Sequence, residues 1–145
     1  MRFRICVVAV AMSMTASVAL ASSHGDPGPP PEPKKVGSTN PGRTADSKRG
    51  RILVDGNGMT LYTFVRDDSG DRSNCNGDCA AKWRPYAAPA DAKPNGDFTL
   101  ITRADGSKMW AYRYRPLYTW YEDKAPGDMG GEDTVTRLWR LARPE

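Results

Sequence analysis

The sequence predicts a mainly β domain, made of antiparallel hairpins from two imperfect repeats, with a short helical turn after a disulfide. Three observations lead to that prediction. Leu61-Tyr62-Thr63-Phe64-Val65-Arg66-Asp67 and Leu117-Tyr118-Thr119-Trp120-Tyr121-Glu122-Asp123 share one form, Leu-Tyr-Thr-aromatic, two variable residues and Asp, 56 residues apart. A Trp-Arg pair follows each Tyr by 21 residues, at Trp83 and Trp139. Such constant spacing marks a duplicated structural unit. The third observation is a series of short apolar runs bounded by Gly, Asn and Asp, the pattern of strands and tight turns.

The chain has 145 residues, but the first 21 read as a secretory signal peptide. Arg2 and Arg4 give a basic start, Ile5 to Leu20 is apolar apart from small hydroxyl residues, and Ala19-Leu20-Ala21 offers a cleavage site before Ser22. The run is too short and wrongly flanked for a stable membrane span, and no later stretch is apolar enough for one. A lipid anchor would need Cys at the first mature position. Ser22 stands there, and Cys6 lies within the leader. The expected location is therefore periplasmic or secreted, without a lipid anchor.

Residues 22–50 read as a flexible tether. Pro27-Gly28-Pro29-Pro30-Pro31-Glu32-Pro33 favours extended polyproline geometry, and the stretch from Lys34 to Gly50 offers almost nothing to bury. If cleavage falls before Ser22, the new terminus is Ser22-Ser23-His24. Its amine, amides and imidazole suit square-planar Cu(II) or Ni(II), although a three-residue pattern is weak evidence beside the reading of a chance His in a tail.

The domain is expected over 51–145, with copies at about 51–86 and 98–142. Ile52-Leu53-Val54 and Met59 to Val65 read as a hairpin around Asp55-Gly56-Asn57-Gly58. Period-two alternation puts Tyr62 and Phe64 on one face and Leu61, Thr63 and Val65 on the other. Asp67, Ser69 and Asp71 are spaced like the start of a calcium loop, but Arg72 occupies the Gly position and Asp78 the closing Glu position. A turn held by Asp side chains is the simpler reading.

Cys75 and Cys79 are the two cysteines of the mature chain, and in an exported protein they most simply form a disulfide. Their C-x3-C spacing departs from the C-x-x-C redox pattern, and the following His of haem attachment is absent. Asp78 is placed to cap a helical turn through Ala80 to Trp83. A second hairpin runs from Phe98 to Arg103 and from Lys108 to Tyr114, with Trp110, Tyr112 and Tyr114 on one face. A second acidic loop follows Asp123, and the closing segment around Trp139 reads as a last strand.

These residues resemble a bacterial family of lipoprotein-like chains, the "secreted repeat of unknown function", which carries a Tyr-x-(Phe/Trp/Tyr)-x-x-Asp motif. The matching residues are Tyr62, Phe64 and Asp67, then Tyr118, Trp120 and Asp123. Also in keeping are Cys75-x-Gly77-x-Cys79-Ala80 leading to Trp83, Arg103-x-Asp105-Gly106, Pro116-Leu117-Tyr118 and Pro126-Gly127-Asp128. The family usually has Trp-Pro where this chain has Trp83-Arg84-Pro85, and the anchoring cysteine is missing. The resemblance spans residues 51–143 and implies export, but no activity.

Charge and composition narrow the function further. From Arg51 onward 14 Lys/Arg balance 14 Asp/Glu, which leaves no overall basic footprint for nucleic acid. The only His is His24, so the domain cannot host a Ser-His-Asp triad, a Cys-His pair or a His-ligated zinc. Asp67 and Asp123 are the symmetric candidates for an acid–base carboxylate pair, but a domain this small has little room for the cleft they would need. The expectation is an exported envelope protein with a non-catalytic binding or structural domain and no cofactor. Tyr62, Phe64, Asp67, Trp83, Tyr118, Trp120, Asp123 and Trp139 are expected either to build its core or to meet a ligand. An exposed platform of Trp110, Tyr118 and Trp120 would suit an envelope glycan or another envelope protein. The alternative is a redox- or metal-linked periplasmic protein using Cys75/Cys79 or the Ser22-Ser23-His24 terminus.

Overall fold

A computed structural model describes residues 41–144. The expected leader, most of the expected tether and Ser22-Ser23-His24 lie outside the described residues. The described residues are mainly β, and their strands pair antiparallel. Its first hairpin pairs β1 (Arg43–Ser47) with β2 (Gly50–Val54) in full register, from Arg43↔Val54 to Ser47↔Gly50. Residues 43–50 are therefore hairpin where a tether was expected, and the first copy begins near Arg43. β1 escapes a sequence reading because it is an edge strand with mostly polar side chains, of which Ala45 packs on the core.

The predicted partner of β2 also changes. The Asp55 turn forms, with Asp55 Oδ1 accepting from the N–H groups of Asn57 at 2.8 Å and Met59 at 2.9 Å. Beyond it, however, the return segment touches β2 only through Val54↔Thr60 and a bond from Leu61 N–H to the Leu53 carbonyl. β3 (Tyr62–Phe64) turns away into another sheet. α1 (Asp78–Lys82) follows the disulfide, but Gly77 is its N-cap and no side chain caps it, so Asp78 does not serve as the cap. β4 (Trp83–Pro85) completes the first copy.

In the second copy β5 (Phe98–Thr102) pairs with β6 (Lys108–Tyr112), close to the expected hairpin. β6 stops two residues early, because Arg113 (φ 46) and Tyr114 (φ 64) form a tight turn into β7 (Arg115–Pro116). Two consecutive positive φ angles match the twist of a two-residue hairpin, where Asn-Gly is the usual choice. Bulky side chains there cost roughly 1–2 kcal/mol per residue. Tyr114 therefore leaves the face of Trp110 and Tyr112 and is 68 % exposed. β8 (Tyr118–Trp120) and β9 (Trp139–Leu141) end the element order.

The arrangement of the two copies is the central feature. One four-stranded sheet has the order β4-β8-β3-β9, so the two motif strands lie side by side in the middle with Tyr62 opposite Tyr118. Each outer strand comes from the copy opposite to its neighbour. β9 pairs with β3 (Phe64↔Trp139), and β4 pairs with β8 (Trp83↔Trp120). The exchange continues past the strands in matched hydrogen bonds. Ala142 N–H donates to the Leu61 carbonyl at 2.9 Å, and Tyr86 N–H donates to the Leu117 carbonyl at 2.8 Å. Leu53 N–H reaches the Ala142 carbonyl, and Trp110 N–H the Tyr86 carbonyl, both at 2.8 Å. Each copy thus closes with the last strand of the other.

Two apolar clusters follow this pseudo-symmetry. Ile52, Val54, Tyr62 and Trp83 share one cluster with Met109, Ala111, Tyr118 and Trp139. Leu53 and Leu61 share the other with Trp110 and Leu117. Alternation along each strand sends neighbouring residues to opposite clusters.

Candidate functional site

The motif residues meet at the sheet centre, and they meet across copies. Tyr62 donates its hydroxyl to Asp123 Oδ2 at 2.5 Å, and Tyr118 donates to Asp67 Oδ2 at 2.6 Å. Each Asp uses its other oxygen on a backbone N–H seven residues ahead. Asn74 N–H reaches Asp67 Oδ1 at 2.7 Å, and Gly130 N–H reaches Asp123 Oδ1 at 3.0 Å. Both carboxylates are buried, at 7 % and 8 % exposure, and both tyrosines are fully buried. Buried polar groups need such partners, because a buried donor or acceptor left alone costs about 1–3 kcal/mol.

The electrostatics follow from this burial. It is the main force pushing both tyrosine hydroxyls well above their ordinary pKa, and the hydrogen bond to the facing carboxylate adds to it. Burial also raises Asp67. The Tyr118 hydroxyl, the Asn74 N–H and the charge of Arg103 oppose that rise. The tyrosines therefore stay protonated donors throughout the ordinary pH range.

Over the hydrogen bonds lies a row of rings. Trp83 and Trp139 stack at 3.7 Å with planes 8° apart. Phe64 stacks on Trp139 at 4.3 Å, and Trp120 lies against Trp83 at the same distance. Tyr62 meets Trp83 edge-on, and Tyr118 meets Trp139 in the same way. Aromatic pairs of this kind contribute roughly 0.5–1.5 kcal/mol each beyond the area they bury. The platform of Trp110, Tyr118 and Trp120 does not form: Trp110 and Tyr118 are buried, and Trp120 is half-buried in this row.

The loops that follow each Asp are braced differently. In the first copy Cys75 and Cys79 are disulfide-bonded. Arg103, from the β5–β6 hairpin of the other copy, enters this loop and is itself buried. It donates to Ser73 Oγ at 2.9 Å and to the Cys75 carbonyl and Asn76 Oδ1 at 3.1 Å. Ser73 Oγ also lies 2.7 Å from the Tyr118 hydroxyl, so the loop and the Tyr–Asp pair are one network. In the second copy the tyrosine hydroxyl meets backbone instead, where the Gly131 N–H donates to the Tyr62 hydroxyl at 3.2 Å. A Cβ on Gly131 would sit 2.7 Å from the Trp83 ring, so only glycine fits without displacement. Across the copies, Arg49 pairs with Glu132.

All eight motif residues named from the sequence gather here, and the cysteines join them through the loop. Sequence reasoning missed Ser73, Arg103 and Gly131. Arg103 belongs to the Arg103-x-Asp105-Gly106 hairpin pattern, and Gly130-Gly131 is a visible signal of close backbone approach. At the calcium-like spacing both Asp67 oxygens accept hydrogen bonds, and Asp71 pairs with Arg72. Among the described residues no group of three or more His, Cys, Asp or Glu side chains is placed to hold a metal.

A family model described as "Secreted repeat of unknown function" matches the chain twice, at residues 43–87 and 99–142. The chain belongs to that family. The matched segments follow the structural copies and include β1, which lay in the expected tether. No curated protein and no solved structure matches the chain significantly. Among the described residues no helix is long and apolar enough to cross a membrane, which fits the secreted character of the family.

Proposed function

We propose that this member of the secreted-repeat family is an exported, non-catalytic domain that acts by binding or structural service in the cell envelope. In this reading the repeated motif is its internal frame, and its surface meets the partner. The observation that carries the reading is the reciprocal Tyr–Asp bonding. Each motif hydroxyl and each carboxylate oxygen is committed to a partner inside the fold, which leaves neither Asp free to take or give a proton to a substrate. The bridge supports a mechanical role too: it ties the fully buried Cys75 to the partly buried Cys79 within the loop that Arg103 pins.

The test is the pair of substitutions Asp67→Asn and Asp123→Asn, together and singly. As frame residues they should lower the melting temperature of the double variant by more than about 8 °C, since about 1 kcal/mol shifts a domain of this size by 4–8 °C. An unchanged melting temperature would contradict the reading and restore the carboxylates as candidates for chemistry.

A further inference from the structure

One groove is lined almost wholly by residues of the second copy. It lies between the Arg113–Tyr114 turn and the segment around β9, has a volume of about 660 Å³, and is lined by Arg113, Arg115, Arg137, Arg140 and Arg143. Glu132 and Asp133 are the only acids in its lining. Arg113 pairs with Asp97, and Arg143 donates to the Arg49 carbonyl at 2.8 Å. Among the described residues no carboxylate forms an ion pair with Arg115, Arg137 or Arg140.

Two further observations separate this groove from an ordinary solvated surface. The fold does not require the arginines. The corresponding positions of the first copy are the 55–60 turn, Ala81, Arg84 and Ala87, with one arginine among them. In addition, two of the three non-glycine residues with positive φ among the described residues are Arg113 and Arg137, and both line the groove. A turn that needs positive φ is served best by glycine or asparagine, as Gly58 and Gly127 serve elsewhere in this chain. Arginine held in such strained backbone at one groove points to use of the side chain.

We propose that this groove binds an acidic glycan, a sugar polymer bearing carboxylate or phosphate groups. The proposal rests on the reading of an exported binding domain and names its ligand class. Guanidinium forks pair with carboxylate and phosphate oxygens through two parallel N–H bonds. The rest of the lining suits sugar hydroxyls, with Thr63 and Thr134 as partners. Glu132 and Asp133 set two negative charges in the lining, so the acidic groups of the ligand must fall beside the arginines and its neutral hydroxylated parts beside the two acids.

The experiment is a titration of the exported chain with alginate, a carboxylated glycan, and with a phosphomannan, a phosphorylated one, using neutral dextran and a duplex DNA as comparisons. At least one of the two acidic polymers should bind, with an affinity that falls as salt rises, and dextran should not. The variant Arg115→Gln/Arg137→Gln/Arg140→Gln should lose at least tenfold in affinity. Arg66→Gln/Lys82→Gln/Arg84→Gln, which removes the same charge from exposed positions outside the groove, should stay within twofold. Arg137→Gly gives a readout that a purely structural arginine would not: the melting temperature should hold or rise as strain is relieved, while binding weakens about threefold. Equal losses in the two triple variants, tighter binding of DNA than of either glycan, or no binding at all would overturn the proposal. Failure here leaves the Tyr–Asp melting test untouched, so the two readings fail separately.

Discussion

The loops at 67–82 and 123–138 do the same work by different means. Each carries the chain from a motif Asp to the Trp that stacks at the sheet centre, over the same number of residues. The first is cross-linked by Cys75–Cys79, contains α1 and is pinned by Arg103. The second has Gly131 and Val135 at the cysteine positions, and Val135 is 89 % exposed. Its turns are held by carboxylates. Asp128 Oδ2 accepts from the N–H groups of Lys124 and Ala125, and Asp133 Oδ1 from those of Val135 and Thr136. What both copies keep is the Tyr–Asp exchange and the stacked Trp. The rest of each loop is free to differ, and the arginines cluster where the second copy differs.

The severest break in this comparison is to separate the copies. Residues 43–92 expressed alone should show no cooperative thermal transition, because β4 would have no β8 and β3 no β9. A sharp melt of that fragment as a monomer would mean that each copy is self-sufficient. Within the whole chain, Trp83→Ala and Trp139→Ala should each cost about 3–5 kcal/mol, the range for emptying a buried aromatic site. Urea unfolding checks whether the two losses agree within about 1 kcal/mol, which falls within the usual context-dependence of such substitutions. A large inequality would show that the stack is not shared evenly.

Sequence made the duplication legible because the motif and its Trp keep their spacing through strands of identical length. Tyr62, Asp67, Tyr118 and Asp123 were visible as a set, and so was the disulfide. Their pairing across copies was not, since a strand of three residues carries no signal of which partner it takes. β1 was hidden for a related reason: Arg43-Thr44-Ala45-Asp46-Ser47 has the composition of a tether, and only docking against β2 makes it a strand. The arginines of the groove are scattered over thirty-one positions, from 113 to 143, and only the fold collects them.

A smaller effect separates the loops directly. Replacing both cysteines, as Cys75→Ala/Cys79→Ala, should cost about 2 kcal/mol by the chain-entropy relation for so short a ring, with the second loop unaffected. Hydrogen exchange should show the loss confined to 67–82, and equal loosening of 123–138 would show that the loops are coupled. The smallest effect is in pH. Burial raises the Asp67 pKa above its unfolded value, so between the two values the folded chain binds more protons than the unfolded one. That contribution is unfavourable at neutral pH and is relieved as pH falls through the folded pKa. Relative to Asp67→Asn, the wild type should therefore gain stability on acidification from pH 7, as chemical unfolding at several pH values would show.

The most direct test of the exchanged architecture is a double-mutant cycle on the motif itself. Tyr62→Phe combined with Asp123→Asn joins residues of different copies, and Tyr62→Phe combined with Asp67→Asn joins residues of one. The account predicts a coupling of about 1–3 kcal/mol in the first cycle and no more than about 0.5 kcal/mol in the second, with the Tyr118 cycles mirroring them. Strong coupling within a copy and none between copies would contradict it.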